Sequence, residues 1–206
     1  MQRVVVVTDP MCSWCWGMAA EVELARQKLA DAVTFDLMLG GINTHGTQPI
    51  GDYGRRYLMK LWREVEATTG QPFGYRLPDE YVHNSTRTCL AVQSIRNLRG
   101  DVPFDYLHRL QYLFFVEGRD ITQAELLGEL AVEAGVDRQA FDQTMMAEAT
   151  LEQIRFQFDS AGQFGTQALP SLLIERGDAQ LALLAGGYVD AAMIETLVTE
   201  AQVSAS

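Results

Sequence analysis

Cys12 and Cys15 are two of the three cysteines in a 206-residue chain, and they stand two residues apart in the stretch DPMCSWCWG, residues 9–17. A thiol pair at that spacing can ligate a metal, pack as small apolar side chains, staple a fold or exchange electrons. A zinc site normally takes four Cys, His or carboxylate ligands. No second Cys-x-x-Cys exists, and His45, His83 and His108 show no paired spacing, so no metal is expected. Inert burial is disfavoured because Trp14 and Trp16 flank Cys15 and Pro10 suggests an exposed turn before the pair. Electron exchange suits the placement best. A cysteine in the first turn of a helix meets unpaired backbone N–H groups and the positive end of the helix dipole, worth about 0.3–1 kcal/mol to an anion there. Cys12, nearer the helix end, is then the nucleophile, and Cys15, one turn on, can resolve a mixed disulfide from within.

The elements around the pair must hold it at a helix start. Arg3–Thr8 is almost all β-branched, the pattern of a strand covered on both faces. Val22, Leu24, Ala25 and Leu29 fall near helical spacing, with Gly17 loosening the first turn, and Val33, Phe35, Leu37 and Leu39 alternate up to Gly40-Gly41. This is a strand–helix–strand unit with parallel strands. A long helical block follows. Tyr53, Tyr57, Leu58, Leu61, Trp62 and Val65 form one apolar face with Gly70 as its stop. Further helices are read at Ser85–Leu98, with Cys89 on its apolar stripe, and at Phe104–Phe115. Thr122 with Glu125 and Thr150 with Gln153 read as capping boxes, and Asp137 as the cap of a short helix. Strand character returns at Ser171–Glu175 and Gln180–Leu184, joined by a turn at Arg176-Gly177-Asp178, before a last helix capped by Asp190. The expected class is therefore α/β, with residues 1–45 and 165–206 forming one discontinuous domain around an all-helical insertion at 46–164.

Composition narrows the partners. With 16 Lys and Arg against 27 Asp and Glu, the formal charge of −11 argues against nucleic acid or an anionic membrane. The start of the sequence, MQRVVVVTDP, lacks the long apolar stretch of a signal peptide, and no window is long enough to span a bilayer. A cytoplasmic location is expected, where thiols stay reduced and a permanent staple is disfavoured.

The motifs DPMCSWCWG (residues 9–17) and FGTQALPSLLI (164–174), with the order β-α-β, helical block, β-β-α, resemble the DsbA-like branch of the thioredoxin superfamily. The stretches GGINTHGTQPI (40–50) and FFVEGRDIT (114–122) look like its cytoplasmic, predicted protein-disulfide isomerase subgroup. The resemblance covers essentially the whole chain. It implies a thioredoxin-like fold with an inserted helical domain, catalytic Cys12 and Cys15, and Pro170 as a cis-proline facing the sulfurs. Leu169 and Pro170, with Ser13 and Trp14, would then contact a substrate chain that pairs edge to edge with the loop. It further implies protein or peptide thiols and disulfides as partners, no tightly bound cofactor, and glutathione as a redox co-substrate.

Two departures from the family pattern bear on chemistry. Many relatives carry a buried carboxylate six residues before the first cysteine, where this chain has Val6, so a water or Asp9 would have to accept the Cys15 proton; Asp9 reads first as a turn former. The intervening Ser13-Trp14 offers no charge to a thiolate, which implies an intermediate or reducing potential rather than a strongly oxidising one. Cys89 reads as a core residue, with a third reactive thiol as the alternative. Tyr53, Tyr57, Trp62, Phe114 and Phe115 read as helical core, some of them lining a groove above the cysteines. The expected activity is thiol–disulfide exchange. The competing readings are a glutathione-dependent isomerase or kappa-class-like transferase, where Ser typically replaces the first cysteine, and a non-enzymatic peptide-binding module.

Overall fold

The computed structural model describes residues 1–100, 103–176 and 180–204. Its centre is β1 (Gln2–Thr8), whose β-branched run is buried on alternating faces. Val4 and Val6 enter the main core, while Val5 and Val7 meet Leu173 on the opposite face of the sheet. That two-sided burial is why the strand reads as continuously apolar instead of alternating. β2 (Val33–Leu39) pairs parallel with β1, reached through α1 (Ser13–Lys28). On the other edge β3 (Ser171–Glu175) pairs antiparallel with β1, and β4 (Leu181–Gly186) with β3, giving the order β2-β1-β3-β4. The expected turn at Gly177-Asp178 lies outside the described residues.

Between β2 and β3 run α2 (Asp52–Thr69), α3 (Thr86–Leu98), α4 (Pro103–Phe115), α5 (Ala124–Glu133), α6 (Arg138–Met146) and α7 (Glu148–Ala161); α8 (Ala191–Ser204) closes the described chain. The helical segment and the sheet share one apolar core, because Trp62, Phe114 and Phe115 are fully buried in it and Phe115 stacks on Trp16 of α1. The Phe115 ring lies 5.6 Å from Trp62 and 6.3 Å from Trp16, centroid to centroid. Aromatic pairs at such spacings add about 0.5–1.5 kcal/mol beyond their buried area. Gly17 permits the close approach of α1 and α2, since a Cβ there would sit 2.6 Å from Val65 Cγ1.

Several local expectations change on folding. Neither capping box forms. The Asp120 carboxylate accepts from the Thr122 backbone N–H and hydroxyl, so α5 begins later, at Ala124. Thr150 is buried inside α7, which starts at Glu148. Tyr53 and Tyr57 are 79% and 57% exposed and are not core, because the face of α2 that packs inward is Leu58, Trp62 and Val65. By contrast Gly70 ends α2 at a φ of 75°, and Asp137 caps α6 by accepting from the Ala140 N–H at 2.9 Å. Asp137→Ala should therefore cost about 1 kcal/mol in urea denaturation.

Candidate active site

Asp9 and Pro10 follow directly from β1, and the chain turns so that the Cys12 N–H donates to the Asp9 carbonyl at 3.2 Å. Cys12 is itself the N-cap of α1: its Sγ accepts from the Cys15 N–H at 3.2 Å. The sulfur thus takes the place that a Ser or Asp oxygen occupies at other helix starts, where orphan N–H groups and the dipole favour negative charge. At the same end of the sheet, where Val7 pairs with Ser171, the cis peptide Leu169–Pro170 brings the Leu169 carbonyl to 3.6 Å from Cys12 Sγ, which donates to it. Leu169 is held by Gly40, where a Cβ would lie 2.7 Å from the leucine methyls. Two segments about 157 residues apart in sequence therefore meet at one sulfur.

Contrary to the reading of an exposed turn, the cysteine segment is buried. Cys12 is 7% and Cys15 4% exposed, and of residues 9–17 only Trp14 is half-exposed, its ring 6.2 Å from that of Tyr188. Helix α2 and the loop after β2 cover the turn, because the Trp62 Nε1–H donates to Ser13 Oγ at 3.1 Å and Ser85 ties down the Ile42 N–H at 2.7 Å. Burial does not close the site. Cys12, Ser13 and Trp14 line a groove of about 240 Å³ whose other walls are Ile42, Ile50, Tyr57 and Leu61. Cys12 faces this groove, whereas Cys15 faces a much smaller pocket on the inner side with Val6 and Pro170. Burial pushes the Cys15 thiol well above its ordinary range, and its contact with Cys12 adds to that. All three cysteines are free thiols.

Asp9 is more than a turn former. Its side chain is wholly buried and accepts from the Met11 N–H at 2.8 Å, from Ser85 Oγ at 2.6 Å and from Cys89 Sγ at 3.5 Å. Desolvation raises its pKa from 3.8 to about 6, against those hydrogen bonds, which lower it. Cys89 is a core residue, fully buried beside that carboxylate, and burial with the neighbouring charge pushes its thiol up. The sequence pattern also passes over Thr8, His108 and Gln111, which share the inner pocket with Cys15. The available signal is one polar glutamine on an otherwise apolar stretch of α4, between Leu110 and Leu113. Among the described residues no group of three or more His, Cys, Asp or Glu gathers as a metal site, and no helix is long and apolar enough to cross a membrane.

The fold has solved counterparts. A "putative protein disulfide isomerase" from Nitrosomonas europaea superposes with a TM-score of 0.91 at 28% identity, over 100% of this chain and 99% of that one. The cytosolic disulfide reductase DsbM from Pseudomonas aeruginosa matches with a TM-score of 0.78 at 25% identity over 98% of both chains. Among curated proteins, the ClpXP adapter protein SpxH of Halalkalibacterium halodurans is 19% identical over 176 residues, 83% of this chain. The chain spans only 58% of that relative's length. The family description "DSBA-like thioredoxin domain" matches residues 3–199, and the chain belongs to that family.

Proposed function

We propose that this chain is a cytoplasmic thiol–disulfide oxidoreductase working through Cys12 and Cys15. The observation that carries the reading is Cys12 Sγ at the N-cap of α1, receiving the Cys15 N–H, set against the Leu169 carbonyl and open to an apolar groove. In the reducing direction the Cys12 thiolate attacks one sulfur of a substrate disulfide. A Cys12–substrate disulfide forms, and the other substrate sulfur leaves as a thiolate that takes a proton. Cys15, deprotonated, then attacks Cys12 Sγ. The Cys12–Cys15 bond forms, and the second substrate thiolate is released. Two electrons have passed to the substrate, and glutathione or a protein dithiol restores the pair.

A protein or peptide chain would lie against Trp14 at the groove and against the Leu169 carbonyl beside Cys12, with Pro170 behind that carbonyl and Ser13 tied to Trp62. Residues 46–164 would supply the groove wall as an insertion, with 1–45 and 165–206 carrying the dithiol. Glutathione is small enough to use the same groove as redox co-substrate. An isomerase role would require Cys12 to stay reduced in the resting protein.

Neither Ser13 nor Trp14 brings a cation to Cys12, so the potential should lie on the reducing side of the about −120 mV of a strong oxidant. Equilibration in glutathione buffers, read by thiol alkylation, checks this. A pair already oxidised under strongly reducing ratios supports the reading, and one that no glutathione disulfide oxidises ends it. A glutathione-dependent isomerase or a binding module would keep its activity without Cys12.

A further inference from the structure

The resolving step needs a destination for the Cys15 proton, and position 6, beside the thiol, is an apolar valine. The inner pocket holds about 10 Å³ of space for a water centre, which is room for one molecule. Four residues with polar side chains border it, Cys15, Thr8, His108 and Gln111, and the Thr8 hydroxyl hydrogen-bonds the Cys15 sulfur. Gln111 is fully buried, and its Oε1 has no hydrogen-bond partner. Its Nε2 donates to the Asp9 carbonyl at 3.3 Å, which fixes which end of the amide remains for the pocket. A buried acceptor left without a donor is costly, so such an oxygen points to a ligand that donates.

We propose that Gln111 Oε1 and the Thr8 hydroxyl hold a water between Cys15 and His108, and that this water carries the Cys15 proton to the imidazole during resolution. The inference rests on the dithiol-exchange reading above. The thiol S–H bond breaks, its proton passes to the water, and a proton of the water passes to His108. The Cys15 thiolate forms the bond to Cys12 Sγ, and the departing substrate thiolate recovers a proton from solvent as His108 releases its own. No oxidant beyond the substrate disulfide is needed. Burial lowers the His108 pKa, which keeps the ring neutral near pH 7 with one nitrogen unprotonated. The charged groups facing it are Glu23 and Arg26 from α1 and Asp105 on its own helix, while Phe104 packs edge-on at 6.3 Å. Gln111 acts as a positioning residue, through the water. Asp9 does not line this pocket, and its oxygens are engaged by Ser85, Met11 and Cys89.

Ellman's reagent separates the two steps. Its first aryl thiolate is released when Cys12 is attacked, and its second when Cys15 resolves. In the full chain, Gln111→Leu and His108→Asn should each slow the second phase about tenfold or more, leaving the first within about twofold. The inflection that His108 lends to the wild-type second-phase pH profile should vanish in His108→Asn. Gln111→Glu, which keeps an acceptor, should recover much of the rate. A second phase unchanged in both slow variants overturns the relay, as does equal slowing by Asp9→Asn with none by His108→Asn. If Gln111→Leu loses the first phase as well, the variant is misfolded and His108→Asn alone decides. A wild-type chain with no second phase would instead remove the dithiol reading itself.

Discussion

Cys12→Ala should reduce disulfide-exchange activity by on the order of a thousandfold or more, to the rate of the reductant alone, without loss of the fold. The nucleophile is the only one of the three thiols that faces the open groove, among the described residues. Cys15 faces the inner pocket, and Cys89 is sealed beside Asp9, where burial keeps its proton on. Neither can replace Cys12. Cys15→Ala should behave differently, because the attacking sulfur and the Leu169 carbonyl remain in place. Its first step should proceed, and turnover should stop at a mixed disulfide. Cys89→Ala should leave exchange nearly intact. Turnover of a protein disulfide with glutathione, followed for the three variants, checks the ordering.

The second large effect concerns stability. In the unfolded chain Asp9 titrates near its ordinary 3.8, whereas burial raises it to about 6 in the folded one. Between those values the folded chain keeps a proton that the unfolded chain has released. Stability from this group is therefore complete below about pH 4 and is lost as the pH rises through 6. The loss amounts to about 3 kcal/mol, at about 1.36 kcal/mol for each tenfold change in proton affinity. Asp9→Asn removes it. The gap in unfolding free energy between variant and wild type should move by about 2 kcal/mol in the variant's favour from pH 4 to pH 7, the rest of the loss falling below pH 4. Contact losses to Ser85 or Cys89 offset both ends of that range equally, so the slope is the informative quantity. Urea titrations at four pH values give it, and parallel curves for the two proteins would contradict the assignment.

How much of this was legible in the sequence differs by kind of feature. β1, β2 and β3 were readable because two-sided burial and alternation act locally along the chain. The two cysteines and Leu169-Pro170 were readable as motifs, though only the fold brings Cys12 to 3.6 Å from the Leu169 carbonyl. What was missed depends on partners far away in sequence. Asp9 looks like a turn residue until Ser85 and Cys89 of the α3 region arrive beside it. Gln111 looks like a polar interruption of α4 until its amide reaches the Asp9 carbonyl. Tyr57 has the spacing of a core residue, yet α2 turns that edge of its apolar stripe toward the groove. The Thr122 capping box failed through local competition, since the Asp120 carboxylate captures the Thr122 amide, and the Thr150 box failed because α7 already begins at Glu148.

Mapping the mixed disulfide shows directly which sulfur attacks. Cys15→Ala protein is treated with glutathione disulfide, digested without reduction, and read by mass spectrometry. One glutathione is expected on Cys12 and none on Cys89, with wild-type protein giving a Cys12–Cys15 disulfide under the same treatment. An adduct carried by Cys89, or no adduct while the wild-type pair stays reduced, would contradict it.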